Sequence, residues 1–63
     1  MDRNINFEIF KVKENLFEIK TLNIKYELYN CRNVTIEKLY ETMESIVEIL
    51  NNKHNVGVTF TIA

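Results

Sequence analysis

The residue types that most often do chemistry in proteins are sparse in this chain. Cys31 is the only cysteine and His54 the only histidine among the 63 residues. A lone thiol cannot form a disulfide within the chain, and one cysteine with one histidine is not a zinc-ligand set. Nucleophilic catalysis also needs a base and an orienting group beside the nucleophile. We therefore expect no enzyme, no metal and no cofactor, with Cys31 partly buried or in a loop and His54 solvated at a helix end or stabilised by the helix dipole.

Four glutamates form the most distinctive charged pattern, and we name them the Glu stripe. Glu37, Glu41, Glu44 and Glu48 are spaced by four, three and four residues, which places them on one narrow helix face. Like charges at this spacing cost a helix about 0.2–0.5 kcal/mol per pair. The stripe has two interpretations: a solvated outer face, or an acidic surface that binds a basic partner.

A second candidate surface is apolar. Phe10 and Val12 are out of phase with the alternating apolar residues that precede them, and Tyr29 is out of phase with its own neighbours. We therefore predict a patch of Phe10, Val12 and Tyr29 on the sheet face away from the helix, where it would suit an oligomer interface. Scattered exposed aromatic residues are also ordinary on protein surfaces.

The element that carries the Glu stripe is a strongly amphipathic helix. Its apolar residues recur with the three- and four-residue spacing of a helix that presses one side onto a core, and they are Ile36, Leu39, Tyr40, Met43, Ile46, Val47 and Leu50. Thr35 is a favourable N-cap. Residues 51–55 have the polar and cationic character of a helix C-terminus.

Period-two alternation predicts the strands before this helix. The first strand includes residues 5–12, and its change of phase indicates either a bulge near Ile9 and Phe10, which we favour, or a far end that is covered on both faces. Residues 13–15 form a hairpin turn. Residues 16–29 form either one long bent strand or two strands that meet near Thr21.

The remaining segments complete the predicted sheet. Residues 30–34 are expected to connect the sheet to the helix, and residues 56–62 alternate cleanly as a final strand. The simplest unknotted arrangement places this last strand antiparallel beside the first. The predicted fold class is α+β: a small antiparallel sheet of three or four strands with one helix on one face, in the order β-β-α-β, within a single domain of residues 1–63.

Composition narrows the function. The chain is 46% hydrophobic and 27% charged, as in ordinary globular proteins, with no apolar run of membrane-spanning length. Its net charge of −1 gives no basic footprint for nucleic acid. We expect a cytoplasmic protein, because no apolar segment of signal-peptide length begins the chain.

These observations favour a protein-binding module without catalysis. The first hypothesis is a small acidic regulator or inhibitor, of the type encoded by phages and other mobile elements, that uses the Glu stripe to bind a basic surface of a partner protein. The alternative is a structural or assembly protein whose main role is homo-oligomerisation. A catalytic or ligand-binding domain assembled only in an oligomer also stays open.

Overall fold

The computed structural model describes residues 3–63, which form a four-stranded sheet with one α-helix on one face. Met1 and Asp2 of the predicted domain lie outside the described residues. The elements are β1 (Asn4–Lys13), β2 (Leu16–Lys20), a 3-10 helix (Ile24–Tyr29), β3 (Cys31–Thr35), α1 (Ile36–His54) and β4 (Gly57–Ile62). The predicted α+β class, with a small sheet and one helix packed on it, is confirmed.

The sheet has the strand order β3-β2-β1-β4 and is mixed. β1 and β2 form an antiparallel hairpin, and β2 pairs antiparallel with β3. The last strand lies beside the first, as predicted, but β4 runs parallel to β1, so the prediction of an antiparallel sheet is wrong. The reason is β3: this unpredicted strand reverses the chain once more before α1, and α1 then carries the chain across the sheet to a parallel position.

Residues 22–29 do not form a strand, and both predictions for residues 16–29 are therefore wrong. Local hydrogen bonds hold the backbone in a different conformation: Asn23 Oδ1 accepts from the Lys25 N–H at 3.0 Å, and the Tyr26 N–H donates to the Asn23 carbonyl at 2.9 Å. The amide of Thr21 donates to Asn30 Oδ1 at 2.8 Å, which closes the loop. Asparagine side chains compete in this way with sheet pairing.

Two other expectations also need correction. Residues 31–35 form β3, although the sequence predicted that residues 30–34 connect the sheet to the helix. The strand was missed because Val34 is its only buried residue, so its sequence shows no alternation. The irregularity in β1 lies between Lys11 and Lys13, two residues later than predicted. The hairpin turn itself is confirmed, with Asn15 in the left-handed region at φ 65°.

The core lies between α1 and the helix-facing side of the sheet. Its fully buried side chains are Phe7, Ile19, Leu50 and Val56, so the centre is formed by β1, β2, the end of α1 and the segment before β4. Asn55 ends the helix in the left-handed conformation, and its N–H donates to the carbonyls of Asn51 and Leu50. This cap turns the chain directly into β4.

Helix α1 begins at Ile36, as predicted, but its N-terminus is capped from another element. The hydroxyl of Thr35 makes no capping hydrogen bond. Instead, Asn15 Oδ1 in the β1–β2 turn accepts from the Ile36 N–H at 3.2 Å. The hairpin turn therefore satisfies one of the free donors that every helix N-terminus presents.

This arrangement predicts different effects for two substitutions. Asn15→Ala removes the capping oxygen and places alanine in a left-handed conformation, so we expect the free energy of unfolding to fall by about 1–2 kcal/mol. Thr35→Val removes a hydroxyl that caps nothing, and we expect a change within about 0.5 kcal/mol. Urea unfolding monitored by circular dichroism measures both. Equal losses in the two variants would contradict this account of the cap.

Candidate binding surface on the helix and the last strand

The Glu stripe lies on the side of α1 that faces away from the sheet. Glu37, Glu41, Glu44 and Glu48 are all exposed, whereas Ile46 and Leu50 on the opposite side are buried. The Lys38 ammonium lies 3.4 Å from the Glu41 carboxylate, in an exposed pair. Among the ion pairs formed within residues 3–63, none involves Glu37, Glu44 or Glu48. Most of the stripe is therefore negative charge without a nearby cation.

The sheet covers only part of the apolar stripe of α1. At about 100° per residue its seven members span roughly 120° of the helix. The structure buries Ile46 and Leu50 and packs Leu39 and Met43 partly against the core. Ile36 and Tyr40 are 53% and 75% exposed, and Val47 is exposed as well. The expectation that the whole stripe is core is therefore wrong for three of its residues.

Two of these exposed residues, Tyr40 and Val47, border an open groove between α1 and β4, which we name the helix groove. Its apolar part is formed by Tyr40, Met43, Val47 and Phe60, and Glu44 and Glu48 belong to its rim. The groove has a volume of about 660 Å³, within the range of about 300–1,000 Å³ that ligand sites span. None of the described residues that line it is basic. Apolar surface and uncompensated negative charge therefore occur side by side.

β4 borders the helix groove and forms one edge of the sheet. The Gly57 N–H donates to the Arg3 carbonyl and the Ala63 N–H to the Ile9 carbonyl, both at 2.9 Å. Backbone groups of a strand alternate sides with a period of two residues. The N–H and C=O groups of Val58, Phe60 and Ile62 therefore point away from β1, where the sheet has no described strand.

The patch predicted from Phe10, Val12 and Tyr29 is not brought together. Phe10 lies on the sheet face away from α1, with the Lys20 ammonium 5.6 Å from its ring. Val12 is 52% exposed within the irregular end of β1. Tyr29 belongs to the 3-10 helix and packs against the core on the helix side. An interface that includes all three residues is therefore not available on one surface.

His54 and Cys31 lie near Tyr29 at the C-terminal end of α1. The Tyr29 hydroxyl is 3.1 Å from His54 Nε2, and the rings of Tyr26 and Tyr29 contact the imidazole edge to face. His54 is the last residue of α1, as expected. It is half-buried between two tyrosines, so of the two expected environments the fully solvated one is not observed. The Cys31 thiol donates to the Tyr29 carbonyl at 3.4 Å, and burial raises the pKa of this thiol. A raised pKa lowers the thiolate fraction and hence the reactivity.

One exposed apolar set was missed by sequence reasoning. Leu22, Ile24 and Leu28 are 91%, 80% and 89% exposed, although their alternation predicted a buried strand face. Only Tyr26 of this alternating series is buried. The one signal for a break was Asn23, which favours turns and caps over strands.

Residues 3–63 contain neither a metal-binding cluster nor a membrane-spanning helix. No group of three or more histidine, cysteine, aspartate or glutamate side chains is placed to hold a metal ion. None of the helices within the described residues is both long enough and apolar enough to cross a bilayer. Comparison with models of known protein families, with curated proteins and with solved structures found no significant match to this chain.

The geometry of the Glu stripe predicts that it lowers stability. Glu44 has a carboxylate three residues before it and another four residues after it, so Glu44→Gln removes two like-charge pairs. We expect the free energy of unfolding to rise by about 0.4–1 kcal/mol at low salt and by less at 1 M salt. The exposed Glu14, whose nearest cation is Lys11 at 3.9 Å, provides the control Glu14→Gln, for which we expect no gain. Urea unfolding at both salt concentrations measures the difference, and an equal gain in the two variants would contradict the repulsion.

Proposed function

We propose that this chain is a non-enzymatic protein-binding module that acts as a small acidic regulator or inhibitor on a basic surface of a partner protein. The observation that carries the proposal is the position of Glu44 and Glu48 on the rim of the helix groove, without a cation partner within residues 3–63. The proposal assigns no reaction and no cofactor. Within it, we place the chain among the short regulators that phages and other mobile elements encode.

The two components of this surface support different aspects of binding. Exposed carboxylates without counter-charges attract a basic partner over distance and increase the association rate, but each exposed ion pair adds only about 0–1 kcal/mol. Apolar surface removed from water contributes more, at about 25 cal/mol per Å². The exposed Tyr40 and Val47 lie next to the acidic rim and supply that apolar surface. A partner segment with both basic and apolar side chains matches both components.

Charge reversal tests this proposal in a cell extract of the native host. The double substitution Glu41→Lys and Glu44→Lys changes the net charge by four units on the Glu stripe. We expect the unsubstituted chain to capture partners that about 0.5 M salt releases, because salt screens exposed charges, and we expect the double variant to lose them. Mass spectrometry of the eluates identifies the proteins that depend on both conditions.

A matched control variant distinguishes the effect of the substituted positions from the effect of the change in net charge. Glu14→Lys with Glu27→Lys makes the same change in net charge at two exposed residues in the β1–β2 turn and the 3-10 helix. This control should capture the same salt-sensitive proteins as the unsubstituted chain. If both double variants lose the salt-sensitive proteins, or if both retain them, the proposed binding surface is incorrect.

Homo-oligomerisation is a second candidate function, favoured by a different observation. Leu22, Ile24 and Leu28 are aliphatic and almost fully exposed in one short segment, and such surface is commonly buried by association. Light scattering at micromolar to millimolar concentration should then show an oligomer that Leu22→Ser with Leu28→Ser converts to a monomer. A chain that is monomeric throughout this range contradicts this candidate.

A further inference from the structure

The open side of β4 is an edge without the usual protection against pairing. Natural edge strands carry charges, prolines, bulges or irregular backbone that prevent the addition of another strand. β4 reads GVTFTI and has no charged residue and no proline. It pairs with β1 in an unbroken register over six residues, so its outer side is equally regular.

The other edge of the sheet has the protection that β4 lacks. β3 carries the exposed Arg32, and its Asn33 adopts a left-handed conformation at φ 55°. Its pairing with β2 is irregular between Phe17 and Ile19. The same sheet therefore has one protected edge and one open edge. The open edge is a property of β4 and not of every edge strand in this chain.

The geometry points to strand addition at β4: an extended segment of a partner protein, basic and apolar on one side, pairs with the open edge and places that side in the helix groove. This inference rests on the proposed function and specifies how the partner binds. The free N–H and C=O groups of Val58, Phe60 and Ile62 are the pattern that an added strand requires. Side chains on the α1 side of such a strand enter the space between Phe60 and Tyr40.

The negative charge of the helix groove favours a basic partner segment over a second copy of this chain. An arginine or lysine can lay its aliphatic chain on Tyr40 and Phe60 while its cationic end reaches Glu44 or Glu48. A second copy of this chain fits less well, because a twofold β4–β4 pairing places both helices on the same sheet face. Glu44 and Glu48 of the two copies would then face each other, with no basic residue among the described groove residues. Like charges in that position oppose association.

The sheet face away from α1 determines which side chains suit the other side of the added strand. There the side chains of Thr59 and Thr61 share the amide oxygen of Asn6 at 3.1 Å and 2.9 Å. A strand beside them is expected to present small polar side chains. The inferred segment therefore alternates threonine or serine with arginine, lysine or an aliphatic residue.

A peptide probe tests strand addition with the full chain. We expect a seven-residue peptide of sequence TRTVTRT, capped at both ends, to shift the amide resonances of Val58, Phe60 and Ile62 in a nuclear magnetic resonance titration. The charge-reversed peptide TETVTET should bind at least tenfold more weakly. Absence of binding by TRTVTRT up to millimolar concentration, or shifts confined to residues outside β4 and the helix groove, would overturn the inference.

Two protein variants separate backbone pairing from charge. Ile62→Pro removes an N–H that β1 does not use, so the fold should persist while binding weakens about tenfold; Ile62→Ala retains the N–H and should bind within about threefold of the unsubstituted chain. Glu44→Gln with Glu48→Gln should weaken binding about threefold or more. If the glutamate variant weakens binding and Ile62→Pro does not, strand addition is incorrect while the acidic binding surface stands.

Two further measurements test whether misfolding of a variant or self-pairing of β4 explains the results. Peptides that are N-methylated at alternate residues test the same hydrogen bonds without changing the protein. Methylation of the N–H groups that face β4 should abolish binding, whereas methylation of those that face away from β4 should not. Equal binding by both would overturn the inference. Light scattering that shows a dimer converted to monomer by Ile62→Pro would assign the β4 edge to a second copy and would also overturn it.

Discussion

The parallel pairing of β4 with β1 is the constraint on which the rest of the structure depends. Two antiparallel steps from β1 through β2 leave the chain at β3, on the far edge of the sheet. A parallel neighbour of β1 cannot be reached by a tight turn, so a long crossover is required. The 19 residues of α1 provide it and at the same time cover one face of the sheet. The crossover makes β1 central, and it makes β4 an edge.

The same crossover divides the surface of α1 into three parts. Ile46 and Leu50 meet the sheet, the Glu stripe faces solvent, and Tyr40 and Val47 lie between them beside β4. Because α1 meets the sheet along Ile46 and Leu50, one flank of its apolar stripe, which spans roughly 120°, stays exposed. The uncovered flank and the open strand edge therefore meet at one place, and the uncompensated carboxylates adjoin it. The proposed binding surface therefore results from the crossover, which places the exposed flank of α1 beside the open edge of β4.

Local patterns allowed the sequence to predict α1, the hairpin turn and β4, because each is specified by the spacing of its own residues. The 3-10 helix was missed because hydrogen bonds of Asn23 and Asn30 outweigh the alternation of the surrounding apolar residues. The direction of β4 depends on β3, which contains only one buried residue and shows no alternation of apolar and polar residues. Of the candidate site, the Glu stripe was visible from spacing alone, whereas the helix groove and the free groups of β4 require the tertiary pairing.

Amide hydrogen exchange along β4, resolved by residue in the free protein, tests most directly whether this strand is open on one side. Pairing with β1 alone predicts alternation: the N–H groups of Thr59, Thr61 and Ala63 exchange slowly, as does that of Gly57, while those of Val58, Phe60 and Ile62 exchange quickly. Slow exchange at Phe60 and Ile62 would show that the edge is already covered, and it would contradict the open edge on which the binding surface depends.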